Sequence, residues 1–162
     1  MKFTFNWLQE FLETDKNITE ICDTLTSIGL EVEELQDQAA LLKGFRAVEI
    51  DSFSKHPDAD RLNICQVKDG DNMLQIVCGA PNVKAGLKTI LAPINAIVPA
   101  NGMKVKKAKI RGVESSGMLC SAQELGLGTD GEGIIELPAE TDLPADIVKL
   151  LKAPSQHLED WL

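Results

Sequence analysis

The chain has 162 residues, with 25 Asp and Glu against 16 Lys and Arg, for a formal net charge of −9. That length serves one ordinary domain, or one with a small companion, and can bury a core without disulfide staples. At 44% hydrophobic and 25% charged, the composition excludes wholesale disorder and collagen-like repeats. Its apolar runs fall far short of the roughly 20 residues of a membrane helix. Glu10, Glu13 and Asp15 do not suit a signal peptide, so the expectation is a soluble, cytoplasmic protein with no membrane contact.

Residues 1–40 read as a helical segment with a short strand. Asn6 precedes Trp7-Leu8 and Phe11-Leu12, apolar at a helix period, with Gln9 three residues on as in a capping box. Asn17 and Glu20 repeat that signal for a second helix, whose apolar stripe is Ile21, Leu25 and Ile28 and whose stop is Gly29. Leu30 to Glu33 alternates like a short strand. Such pieces expose more apolar surface than they can bury alone.

From about Leu41 the pattern becomes that of strands. Runs at 47–53, 62–68, 74–78, 89–92, 104–110 and 134–137 alternate or are apolar, and Gly, Pro, Asn and Asp turns separate them. This predicts a mainly β protein with some helix, a five-stranded Greek-key barrel with inserted loops over 41–150. A helical turn is expected at Ser121 to Leu125 and a short helix from Pro144 to Leu151. Residues 151–162 read as a tail, truncated or foreign to the rest.

The four cysteines, Cys22, Cys65, Cys78 and Cys120, are widely spaced and the only histidines are His56 and His157, so no zinc pattern exists. Reduced, buried thiols are the expectation and a Cys65–Cys78 disulfide the alternative. Walker, nucleophile-elbow and H-E-x-x-H motifs are absent. Asp58 and Asp60 read as turn residues, one of them paired with Arg61, and His56 as a loop hydrogen-bonder. Neither a catalytic nor a metal site is expected.

The charge is unevenly spread. Residues 84–111 carry Lys84, Lys88, Lys104, Lys106, Lys107, Lys109 and Arg111 and no acid, whereas 1–37 carry −7 and 112–162 carry −8. A basic block in an acidic chain offers a landing place for an anion. Lysines hold phosphates without reading bases. The only aromatics in 41–150 are Phe45 and Phe53, and Phe53 fits the core alternation. With so few stacking platforms, a folded RNA suits the block better than a splayed single strand.

Three motifs in this order, His56-Pro57-Asp58-Ala59-Asp60-Arg61-Leu62, Val77-Cys78-Gly79-Ala80-Pro81-Asn82-Val83 and the run from Lys109 to Ser121, resemble the tRNA-binding oligonucleotide/oligosaccharide-binding (OB) domains of several synthetases and free-standing proteins. Met1 to Leu8, followed by Ile28 to Glu33, narrows this to a resemblance to the start of bacterial phenylalanyl-tRNA synthetase beta chains, over about residues 1–152. That resemblance implies an OB barrel within an α2β2 ligase that pairs with an alpha chain and uses ATP and magnesium. It implies an N-terminal fragment, without the aminoacylation site or a cofactor of its own, whose residues 1–40 belong to a discontinuous domain. It places the tRNA-facing strand and turn at Lys104, Lys106, Lys107, Lys109 and Arg111, with Ser115 and Ser116 in a turn whose backbone approaches a phosphate. The Gly79–Asn82 loop is assigned to turn geometry, with Asn82 as an RNA contact the lesser alternative. Two other functions compete: a scaffold within the beta chain with little RNA affinity, and a free-standing tRNA-binding or chaperone-like protein.

Overall fold

The computed structural model describes residues 5–35, 38–143 and 145–152. The chain forms two compact units, Met1–Gln36 and Asp37–Leu162.

In the first unit, α1 (Phe5–Gln9) begins before Asn6, so Asn6 lies inside the helix instead of capping it. The ring centroids of Trp7 and Phe11 are 5.1 Å apart, one helical turn on. α2 (Ile18–Ser27) carries the full capping box: Glu20 N–H donates to Asn17 Oδ1 and Asn17 N–H to Glu20 Oε2, both at 3.0 Å. At its other end Leu30 N–H reaches Leu25 C=O and Gly29 N–H reaches Thr26 C=O, the paired bonds of a Schellman stop. That stop needs a left-handed residue, and Gly29 supplies it at φ 92°. The strand expected at Leu30 to Glu33 does not form; the segment has no ladder partner and Leu30 is exposed.

The second unit opens with α3 (Gln38–Leu41), followed by β1 (Arg46–His56), β2 (Ala59–Asp69), β3 (Asn72–Cys78), β4 (Lys88–Ala92), β5 (Ala108–Ile110), β6 (Val113–Ser115), β7 (Met118–Leu119), β8 (Ala145–Asp146) and α4 (Ile147–Lys152). All pairings are antiparallel. The main sheet runs β3-β2-β1-β4-β7, with β8 also on β1. β1 serves two sets of partners: Arg46 to Glu49 pair with β4, and Glu49 to His56 with β2. A register shift between Ile50 and Ser52 marks a bulge that bends the strand between them.

A closed five-stranded barrel is therefore not what forms. The main sheet has six strands and is open, its ladder ending at β3 and β7. The bonds nearest to closing it are Ser116 N–H to Gln75 C=O (2.9 Å) and Val77 N–H to Ser115 Oγ (3.1 Å). The run 104–110 is not one strand: Lys104 bridges Ile97, and only Ala108–Ile110 joins a ladder, in a separate hairpin with β6. The reason lies in two turns. Asn95 (φ 74°) and Ala96 both bond to Val105, a bulge with a left-handed first residue, so the chain kinks there. Arg111 (φ 45°) and Gly112 (φ 90°) form a two-residue turn of the mirror-image type that hairpins favour. Of 134–137, only Leu137 makes a bridge, to Lys88.

Two core layers fill the unit. One gathers Leu42, Phe45, Ala47, Ile90, Val98 and Leu125; the other gathers Val48, Ile50, Cys65, Val67, Ile76 and Leu91. Gly117 is fixed by both backbone and space: its φ is 153°, and a Cβ there would stand 2.9 Å from Leu91 Cδ1 and 3.1 Å from Ala92 C=O. Ser121 to Leu125 forms hydrogen-bonded turns, with Ser121 and Glu124 reciprocally capped. The expected start at Pro144 and the tail from 153 onwards lie outside the described residues. Among those described, no helix is long and apolar enough to cross a membrane.

Candidate nucleic-acid interface

The basic block is sorted by what each cation touches. Lys84 meets Glu136 at 2.8 Å. Hydrogen bonds from the Lys84 ammonium and from Asn82 hold the Glu136 carboxyl below its ordinary value. Lys88, half-buried, donates to the carbonyls of Ala139 and Thr141. Lys107 pairs with Glu114 at 3.0 Å across the β5–β6 hairpin, with both side chains more than half exposed. Arg111 Nη1 donates to Asp58 C=O at 2.6 Å, which fixes its guanidinium without neutralising it. Lys104, Lys106 and Lys109 are exposed and have no hydrogen-bond or ion-pair partner among the described residues. Lys104 and Lys106 flank Val105, which is buried, so the two ammonium groups face outward while the residue between them anchors the segment.

The hairpin is held against the β1–β2 turn. His56, buried, accepts from Asp58 N–H at Nδ1 (3.0 Å), which leaves the proton on Nε2 to be donated to Ile110 C=O (3.0 Å). Arg111 adds its bond to Asp58 from the same turn. The expected Arg61 pairing with Asp58 or Asp60 does not form; Arg111 reaches that turn instead.

The two serines do other work. Ser115 is 3% exposed; its hydroxyl accepts from Val77 N–H and donates to Gly117 C=O, both at 3.1 Å. Ser116 N–H is engaged by Gln75 C=O. The turn clips the sheet edges together, and its Ser116 amide is not open to a phosphate. Asn82 is likewise internal: its Nδ2 donates to Ile134 C=O (2.8 Å) and Glu136 Oε1 (3.1 Å), while its Oδ1 accepts from Ile134 N–H (3.0 Å). It serves as one rung of a ladder between two segments that share none.

Sequence reasoning missed the Arg111-Gly112 turn, because Arg-Gly is outside the Asn-Gly, Asp-Gly and Gly-Gly pairs that mark a two-residue hairpin. It also placed Phe53 in the core, whereas the ring is 42% exposed. All four cysteines are free thiols. Burial pushes the Cys65 and Cys120 thiols up to about 12, and raises that of Cys78. No group of three or more His, Cys, Asp or Glu side chains is placed to hold a metal ion among the described residues.

Residues 45–146, from the first strand to the strand that pairs back on it, match the family described as "Putative tRNA binding domain". The chain belongs to that family. Among curated proteins, this tRNA-binding domain chain is 50% identical over 151 residues to the phenylalanine–tRNA ligase beta subunit of Rhodospirillum rubrum, covering 93% of this chain and 19% of that protein. It is 51% identical over 144 residues to the subunit of the same name from Novosphingobium aromaticivorans, covering 88% and 18%. The chain thus spans about a fifth of the length of these relatives. A solved structure titled MetRS related protein from Pyrococcus horikoshii overlaps 68% of this chain and 94% of its own, at 22% identity and a TM-score of 0.46.

Proposed function

We propose that this chain is the tRNA-binding module of a phenylalanine–tRNA ligase beta subunit, acting in the cytoplasm beside an alpha chain in an enzyme that uses ATP and magnesium. In this reading 41–150 is the RNA-binding OB-type unit with Greek-key connections, 1–40 is part of a second domain, and 151–162 is a tail. Lys104, Lys106 and Lys109 contact phosphates as mobile point charges and Arg111 as a fixed one, while Lys107, on the same segment, stays paired with Glu114. Ser115 and Ser116 position the strand that carries them. The observation that carries the reading is the membership of residues 45–146 in a tRNA-binding family, in a chain with three unpartnered lysines, Lys104, Lys106 and Lys109, on one segment of that span.

Reversal of Lys104 and Lys106 to Glu tests it. Affinity for unrelated tRNAs should fall alike, because phosphate contacts carry no sequence information. Unchanged affinity at low salt would refute this face. A scaffold role is the second reading, favoured by the exposed Trp7, Phe11, Ile28 and Leu30 of the first unit. It gains if the folded chain binds no tRNA at low salt.

A further inference from the structure

Residues opposite each other in an antiparallel ladder share a face. Phe53 pairs with Cys65 and Lys55 with Asn63; those two continue to Ile76 and Cys78 on β3. Cys65, Ile76 and Cys78 are buried in the second core layer. On the same face, where β1 and β2 run on toward their turn, Phe53 is 42% exposed and Lys55 stands in solvent. Asn63 lies between the covered and open parts. It is 5% exposed, and its Oδ1 has no hydrogen-bond partner. Arg61, two residues before it, is also exposed, and neither Arg61 nor Lys55 has an ion-pair partner among the described residues.

A covered amide oxygen without a donor destabilises a fold, and an apolar residue would satisfy the strand pattern at that position. Its presence beside a half-open aromatic ring and two free cations is what a base-recognition site requires. We propose that this face takes one unstacked nucleobase of the bound RNA. The Phe53 ring stacks on the base, the Asn63 amide turns outward to accept a hydrogen bond from a base N–H, and Lys55 and Arg61 meet the flanking phosphates. Asp58 and Asp60 at the adjacent turn offset those two charges, so stacking rather than charge supplies most of the affinity here. This rests on the tRNA reading above and adds to it: the lysine segment gives general attachment, and the Phe53 face selects RNA that presents an unpaired base.

The test uses the 162-residue chain with a tRNA transcript and with a blunt-ended RNA duplex. Phe53→Ala should weaken tRNA binding about thirtyfold, the middle of the range for losing one stacked base. It should leave the salt dependence unchanged and duplex binding unaltered. Asn63→Leu should weaken tRNA binding several-fold while its urea midpoint holds or rises, since an orphaned polar atom is removed. Wild-type tRNA affinity in Phe53→Ala, with binding still lost on reversal of Lys104 and Lys106, overturns the base site and leaves the tRNA reading intact. If neither change matters, both fall. A lower urea midpoint in Asn63→Leu would make that residue structural and remove it from the site. Dissociation of a dimer by Phe53→Ala at unchanged RNA affinity would assign the face to a second copy of the chain instead.

Discussion

The partners of the basic block set how steeply RNA binding depends on salt. Lys84, Lys88 and Lys107 are tied to a carboxylate or to carbonyls, which leaves Lys104, Lys106, Lys109 and the pinned but still charged Arg111 for phosphates. Each neutralised phosphate contributes about −0.7 to −0.9 to the slope of log affinity against log salt. Four cations thus give a slope near −3, and a rise from about 50 to about 200 mM salt weakens binding roughly 100-fold. Engagement of all seven would give a slope of about −5 to −6 and a loss in the thousands. Changing Lys104, Lys106 and Lys109 together to Gln should cut the loss to about threefold. All three are exposed, so the fold should be unaffected. Fluorescence anisotropy with labelled tRNA across the salt series reads the slope directly. A wild-type slope near −6 would show that the tied cations also engage, and an unchanged slope in the triple variant would show that these lysines do not.

Other expectations concern the frame around that face. Asn82→Ala leaves Ile134, which is buried, without partners for its N–H and C=O, and should lower unfolding free energy by about 2–3 kcal/mol in urea melts. In native protein near pH 8, alkylation read by mass spectrometry should modify Cys22 alone, since burial keeps the other three protonated; all four should react once the chain is unfolded. Glu136 should titrate below 4.5 in an NMR titration and move back toward that value in Lys84→Met. Its folded-state value is depressed, so its contribution is present above the unfolded value and is lost as pH falls through the folded one.

What the sequence discloses depends on how local the physics is. The capping box of Asn17 with Glu20 and the stop at Gly29 involve residues within six positions of one another, and they form as their spacing dictates. The turn at Asp69 to Asn72 is equally local, and Gly70 takes the positive φ it was suited for. The hidden part is tertiary. Alternation in 104–110 fits a strand, yet the kink at Asn95 and the turn at Arg111-Gly112 divide that run between a bridge and a separate hairpin. Lys84 lies 52 residues from Glu136, a separation over which no spacing rule operates. Lys107 with Glu114 was within reach, since a two-residue turn at 111–112 puts Lys109 opposite Glu114 and brings Lys107 near.

The motifs that carry the resemblance share Arg61, Lys109 and Arg111 with the residues placed to meet RNA, whereas Lys104 and Lys106 lie outside them and most of their other polar residues brace the fold. Asn82 in the Val77–Val83 motif, and Ser115 and Ser116 in the Lys109–Ser121 motif, spend their hydrogen bonds inside the fold. His56 in the first motif fastens the β1–β2 turn to β5. Motifs of this kind identify the scaffold, because each brace must meet fixed partners with fixed geometry. A phosphate-facing lysine needs only an exposed position and a flexible stem, and leaves no spacing signature. The braces and the lysines outside the motifs should separate in experiment. Loss of the Asn82 brace lowers stability and disturbs RNA binding only through unfolding, so affinity recovers at low temperature where the variant is folded. Loss of Lys104 and Lys106 lowers affinity at every temperature and leaves the melting curve where it was. An Asn82 variant that is fully folded yet deficient in tRNA binding would break this division and return that loop to the RNA surface.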